Sequence, residues 1–343
     1  MAATAGLAVA MTISACGGGG SAAPADGGGG APQDPGSVTL YNAQHEDLVK
    51  AMVEGFTKET GIKVNLRQGK DFELANQIVQ EGAASPADVF LTENSPAMSL
   101  VDGKGLFSKV DDAAVAQVPA QFVPSSRNWV GFAARSTVLA YNAKAAPAAS
   151  LPTSLMDLAQ PQWKDKVGIA AAGADFQAIV SAVLETKGET ATQQWLAGLK
   201  TNAKVFSGNG AILKAVNAGE IQTGVIYHYY WSKDRAESGA NSANTELKFF
   251  AGKDPGGFVS VSGAGVVKAG KNQAQGQQLV KYLTAKSGQQ ILADSTALEY
   301  AIGKDVTPNP KLKPLTELDP PTVDIAKLNG PKVVELMQSA GLI

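Results

Sequence analysis

His45, Glu93, Tyr229 and Tyr230 bring together one imidazole, one carboxylate and two phenols. Acting as a group, they would be a nitrogen and oxygen donor set for a metal ion. A phenolate is a hard, strongly basic oxygen donor, and its parent phenol has an ordinary pKa of about 10. Only a strongly acidic cation deprotonates two of them at neutral pH. One carboxylate and two phenolates carry a formal charge of about −3, which matches a trivalent ion, so ligand chemistry favours Fe3+ over Zn2+ or Cu(I). His45 lies where a helix is expected to begin. The helix dipole there keeps the imidazole neutral, as a metal ligand must be. Each residue also has an ordinary alternative. A histidine at a strand–helix junction commonly caps the helix or faces solvent. Glu93 reads equally as a solvated loop carboxylate. The run from Tyr227 to Trp231 (YHYYW) reads equally as an aromatic wall that stacks on a sugar or an amine.

Composition excludes several other chemistries. The 343 residues carry 29 Lys and Arg against 31 Asp and Glu, a net charge of −2, which gives no support to a nucleic-acid binder. The only histidines are His45 and His228, so a His-rich catalytic metal centre is excluded. The single cysteine, Cys16, excludes a disulfide framework and a Cys-rich zinc or iron–sulfur site. The length suits two domains, and a hydrophobic share of 44% suits a sizeable core.

The elements that must position the donor set begin after an N-terminal segment of a different kind. Residues 1–15 are uncharged and small or apolar, too short to span a bilayer, and read as the apolar region of a secretory signal. They lack the usual basic n-region, so the natural start is expected several residues earlier. The sequence Ile13-Ser14-Ala15-Cys16 resembles the bacterial lipobox, in which cleavage before the cysteine exposes a thiol for lipidation. The alternative is an unprocessed apolar N-terminus with a free thiol. Residues 16–36 then combine a lipidated Cys16 with a Gly-rich tether, whose reach is roughly 25 Å.

From residue 37 onward the pattern is strand and helix in alternation. Residues 37–41 (SVTLY) read as a strand. Leu48, Met52 and Phe56 follow at helical spacing with Gly61 as C-cap, and residues 62–67 alternate as a half-buried strand. Asp71 is expected to cap the next helix, with Phe72, Leu74, Ile78 and Val79 inward, before a short apolar strand at 87–91. Strands are expected at 129–141, 167–170, 223–227 and 257–268. Helices are expected at 176–186, 191–200, 272–287, 288–296 and 330–340, and the proline-rich stretch 308–321 is irregular. The long strands 129–141 and 257–268 suggest crossings between two lobes. His45, Glu93 and the Tyr229–Tyr230 pair each follow a strand, which is where open α/β sheets bind ligands. Adjacent tyrosines can meet one ligand only if the strand has ended and the chain is turning.

The chain resembles ferric-iron-binding, substrate-binding proteins of ABC transporters, with the type II periplasmic-binding-protein fold. The resemblance rests on YNAQH at 41–45, FTKETGIKV at 56–64, PADVFLTE at 86–93 and HYYW at 228–231. It continues through DPGGFVSVSGAGVVK at 254–268 and the terminal MQSAGLI. It implies an α/β protein of two lobes, each a mixed sheet flanked by helices, hinged by crossing strands, with the ion in the cleft. The implied lobes are about 37–134 plus 263–308, and about 135–262 plus 309–343. It also implies that His45, Glu93, Tyr229 and Tyr230 bind Fe3+.

In that family an exogenous anion completes the iron sphere. Asn94 and Asn209 match anion-holding positions, as do Gly173 and Ala174 in the turn Ala171–Asp175. That turn departs from the pattern: it lacks a hydroxyl and ends in Asp175, and Tyr227 stands where an asparagine is expected. Asp175 either caps the following helix or puts its own carboxylate in the anion's place as a further metal ligand. His228 is expected to point away.

The resemblance implies an extracytoplasmic protein that captures ferric iron and delivers it to an ABC permease. It would be a monomer, reach the membrane only through its lipid anchor, and have no catalytic role. The alternative is the same fold holding an organic solute such as a polyamine or thiamine. An enzyme is disfavoured because GxSxG, HExxH, Walker A and a strand-end GxGxxG are all lacking.

Overall fold

A computed structural model describes residues 36–343. The signal segment, Cys16 and the glycine tether up to residue 35 lie outside the described residues. The strands are β1 (Ser37–Asn42), β2 (Lys63–Gln68), β3 (Val89–Leu91), β4 (Val130–Asn142), β5 (Val167–Ile169), β6 (Ala203–Val205), β7 (Thr223–Tyr227), β8 (Thr245–Lys248), β9 (Val259–Val266) and β10 (Tyr300–Ala301). They run in the order β2-β1-β3-β9-β4-β7-β5-β6, with β8 and β10 also paired to β4.

The two-lobed form follows from β4. All 13 of its residues are buried, as its near-continuous apolar sequence requires. Residues 130–136 pair antiparallel with β9, and residues 137–141 pair antiparallel with β7. One strand therefore belongs to both sheets. A bulge between Gly131 and Ala133 adjusts its register against β9. In the first sheet β1 runs parallel to β2 and β3. Parallel neighbours need crossovers, and the helices Glu46–Thr60 and Asp71–Glu81 supply them. The second sheet repeats the device: β5 runs parallel to β6 and β7.

Local signals explain most of these bounds. Leu48, Val49, Met52 and Phe56 are the buried stripe of the first helix. Gly61 ends that helix at φ 76°, where a side chain would be strained, and its N–H bonds to the Thr57 carbonyl at 2.8 Å. The structure adds elements not expected from the sequence: β6, β8, β10 and the helices Ser95–Gly103, Asn209–Ala218 and His228–Glu237. No helix among the described residues is long and apolar enough to cross a membrane.

Candidate metal site in the cleft

The four candidate ligands, Asp175, Asn94 and Asn209 converge at the carboxyl ends of β1, β3, β5 and β7. His45 follows β1 and precedes the first helix. Glu93 and Asn94 follow β3. Asp175 lies in the first turn of the helix Ala174–Lys187, and Asn209 opens the helix Asn209–Ala218. Tyr229 and Tyr230 lie in the first turn of the helix His228–Glu237. That helix is why two adjacent tyrosines share one site. Successive residues on a helix diverge by about 100°, whereas on a strand they point to opposite faces. The two rings stack with centroids 4.2 Å apart.

Two phenol–carboxylate pairs form the centre. Tyr229 donates to Glu93 Oε1 at 2.9 Å, and Tyr230 donates to Asp175 Oδ2 at 3.0 Å. His45 Nε2 lies 3.8 Å from Glu93 Oε1 and 3.1 Å from Glu299 Oε1, and its ring meets Tyr229 edge-on at 5.4 Å. Among the described residues no three His, Cys, Asp or Glu side chains form a metal-holding group by themselves. The phenols are needed to complete a donor set. A cleft of about 670 Å3 beside the centre is lined by His45, Tyr229, Tyr230 and Lys233.

Asp175 is not a helix cap. Gly173 holds the capping position and the helix end has no side-chain cap. The Asp175 carboxylate instead accepts from Asn94 Nδ2 at 3.0 Å, Asn209 Nδ2 at 2.7 Å and the Tyr230 hydroxyl. The two asparagines expected to hold an anion therefore hold this side chain. Gly173 spends its N–H on the Ala170 carbonyl at 2.8 Å, so that donor is not free for an anion. Tyr227, in place of an asparagine, donates to Asn94 Oδ1 at 3.3 Å. His228 faces away: its Nδ1 accepts from the Ser136 N–H, its ring stacks on Tyr300, and burial presses its pKa down to about 4.

Asp71 also differs from expectation. Lys70 holds the capping position of its helix. The buried Asp71 carboxylate accepts from the backbone N–H groups of Glu93 at 2.8 Å and Asn94 at 3.0 Å. It fixes the turn that aims Glu93. Asp71→Ala should strand two buried donors and lower unfolding free energy by about 1–3 kcal/mol. Denaturant titration at neutral pH measures this, and a loss under about 0.5 kcal/mol would remove the pinning role.

The electrostatics are those of a cage short of positive charge. Burial, then the Asp175 charge, pushes Glu93 up to about 8 against the opposing pull of Arg135. Burial raises Asp71 to about 7 and also raises Asp175. Tyr229 and Tyr230 are driven above the usual phenol value by burial and by the Asp175 and Glu93 charges. Burial presses His45 down, but the Glu299 hydrogen bond and the charges of Glu299 and Glu93 outweigh it, and the net shift is upward. Each acid thus holds its proton more tightly than in water, and a bound cation would reverse the sign of that environment.

Sequence reasoning missed Asp71's role and the pair Arg135–Glu299. Both members of the pair are fully buried. Burial raises the Glu299 carboxyl, but Arg135 and His45 bring it down to about 2.

Comparisons with known proteins agree with this geometry. Residues 84–327 match the family of bacterial extracellular solute-binding proteins. The Fe(3+)-binding periplasmic protein of Serratia marcescens is 57% identical over 306 residues, covering 89% of this chain and 90% of the relative. The major ferric iron-binding protein of Neisseria meningitidis serogroup B is 34% identical over 308 residues, covering 89% and 93%. Iron-bound HitA from Pseudomonas aeruginosa superposes with a TM-score of 0.82 at 38% identity, covering 89% of this chain and 99% of that one. Two sheets sharing β4, a ligand set at their strand ends and these matches over most of the chain lead to one assignment: the chain belongs to the bacterial extracellular solute-binding proteins.

Proposed function

We propose that the protein captures ferric iron in the cleft between its lobes and delivers it to an ABC permease. The observation that carries this reading is the pair of hydrogen bonds Tyr229–Glu93 and Tyr230–Asp175, set beside His45. The ferric-binding relatives support it. His45, Glu93, Tyr229 and Tyr230 are the ligands in this proposal, and Asp175 is a further one. Asn94 and Asn209 then orient Asp175 rather than an added anion. The lobes are 37–134 plus 263–308, and 135–262 plus 309–343, crossed by β4 and β9. The role needs no catalysis: closure buries the ion, and the permease releases it by favouring the open arrangement. In the same proposal Cys16 carries a lipid, the chain is a monomer outside the cytoplasm, and the lipid is its only hold on the membrane.

The tyrosine pair also bears on the alternative of a polyamine or thiamine. A stacking wall needs an open ring face, yet Tyr229 and Tyr230 stack on each other and donate to carboxylates. The direct test is the visible spectrum of the purified protein titrated with ferric citrate. A broad phenolate-to-iron charge-transfer band and a red to purple colour are expected. A colourless protein that still binds iron would sink the ligand assignment.

Proton linkage gives a second expected result. Tyr229 and Tyr230 bind iron as phenolates, and both are protonated in the unloaded protein because their pKa values are raised. Glu93, raised to about 8, adds a further proton at neutral pH. Loading should release about two to three protons per ion, so affinity falls about tenfold per pH unit for each as pH drops. Competition with a soluble chelator of known pH dependence between about pH 7.5 and about pH 5 measures the slope. A flat profile would mean that phenolates are not the ligands.

A further inference from the structure

Glu299 carries an inference beyond the ligand set. It follows Leu298, whose backbone lies in the left-handed region at φ 54°, a strained setting for a branched side chain. That turn buries the carboxylate completely beneath His45. Arg135 Nη2 and Gln44 Nε2 both donate to Glu299 Oε2, the latter at 3.3 Å. Ser262 Oγ ties the group together, accepting from Arg135 and from Gln44, each at 2.7 Å. Arg135 lies in β4 and Ser262 in β9, so the crossing strands themselves hold Glu299. Its other oxygen, Oε1, is left for His45 Nε2 at 3.1 Å.

His45 needs such a support. Its side chain is 37% exposed at the mouth of the cleft, and Glu299 is its nearest polar partner. Against Tyr229 it makes only an edge contact. Without Glu299 the imidazole has rotamers open to solvent and nothing to select among them. We propose that Glu299 is the positioning residue for His45: clamped by Arg135 and Gln44, it holds the imidazole in the cleft so that the ring is in place when a ferric ion arrives. This rests on the ferric-iron reading of the site.

Glu299→Gln is the informative variant. A carboxylate offers an acceptor oxygen to Arg135 and another to His45, whereas an amide has only one acceptor. With Arg135 claiming it, His45 faces an NH2 group. Outer partners of metal-bound histidines typically change affinity 10–100-fold, so ferric binding should weaken by about that factor. In a His45→Ala background the same change should have less than about a twofold effect, because a positioning residue acts through the group it positions. Equal losses in both backgrounds, or no loss in the first, would overturn the proposal.

A measurement without iron separates this test from the function itself. The protein has two histidines, so the ring 1H–15N signals of the unloaded protein are few. Glu299→Gln should shift and broaden those of His45 and spare those of His228. Unmoved His45 signals would overturn positioning. A wild type that fails to bind ferric iron would instead overturn the functional reading, and the ring signals would still decide for or against Glu299. If Glu299→Gln does not fold, Glu299→Leu with Arg135→Met removes the buried pair without leaving a lone charge. It is then compared with Arg135→Met alone, with the same two readouts and the same outcomes.

Discussion

Tyr229→Phe and Tyr230→Phe should each weaken ferric binding by more than about 100-fold, and the double variant should be colourless. The magnitude follows from comparison. Partners one step removed from a metal typically change affinity 10–100-fold, and a phenolate that contributes both charge and a bond must count for more. The fold should tolerate the change. Tyr229 is buried, and phenylalanine keeps its ring, its stacking on Tyr230 and its edge contact with His45. Only the hydroxyl donated to Glu93 is lost, at a cost of about 1 kcal/mol. Thermal melts of the unloaded variants should therefore stay near wild type while the charge-transfer band weakens and shifts. A variant with unchanged affinity and an intact band would remove that tyrosine from the metal. Measuring both variants separates the pair, because Tyr229 pairs with Glu93 on the far lobe and Tyr230 with Asp175 on its own.

The same residues show what was legible in the sequence. A buried strand followed by a polar residue is a local signal, and it placed His45, Glu93 and the tyrosine pair at strand ends. The helix beginning at His228 was not legible. It buries only His228, Tyr229 and Ser232, so its sequence shows no apolar stripe at helical spacing. Strands of two to four residues, such as β6, β8 and β10, are too short to display alternation. Asp71 looked like a cap because an acid before an apolar helix usually is one. Its actual partners, the N–H groups of Glu93 and Asn94, come from the neighbouring strand end. Glu299 lies 255 positions from Gln44 and is joined to Arg135 through the pairing of β10 with β4. Such a buried charge pair leaves no periodic trace, since each member reads alone as an ordinary surface charge.

Asp175→Ser should turn a protein indifferent to phosphate into one that needs it. A ferric ion held by His45, Glu93, Tyr229 and Tyr230 has four ligands and favours about six. In the wild type the Asp175 carboxylate already occupies the donors that an anion would use, accepting from Asn94, Asn209 and Tyr230. Phosphate would have to displace it and then sit beside Glu93, with like-charge repulsion opposing both steps. Millimolar phosphate should accordingly change wild-type affinity less than about threefold and leave the spectrum in place. Serine removes the charge, frees both asparagine amides and adds a hydroxyl donor. Phosphate should then tighten iron binding by on the order of tenfold or more, the strength of a charge-assisted contact. A second consequence has its own sign. The Asp175 charge is one of the causes that raise Glu93 to about 8, so its removal lets Glu93 ionise at lower pH. Fewer protons should then be released on loading at neutral pH, and the pH slope of affinity should flatten. If the wild type needs phosphate for tight binding and the serine variant needs it equally, Asp175 is no substitute for the anion, and its contacts with Asn94, Asn209 and Tyr230 serve only to close the cleft.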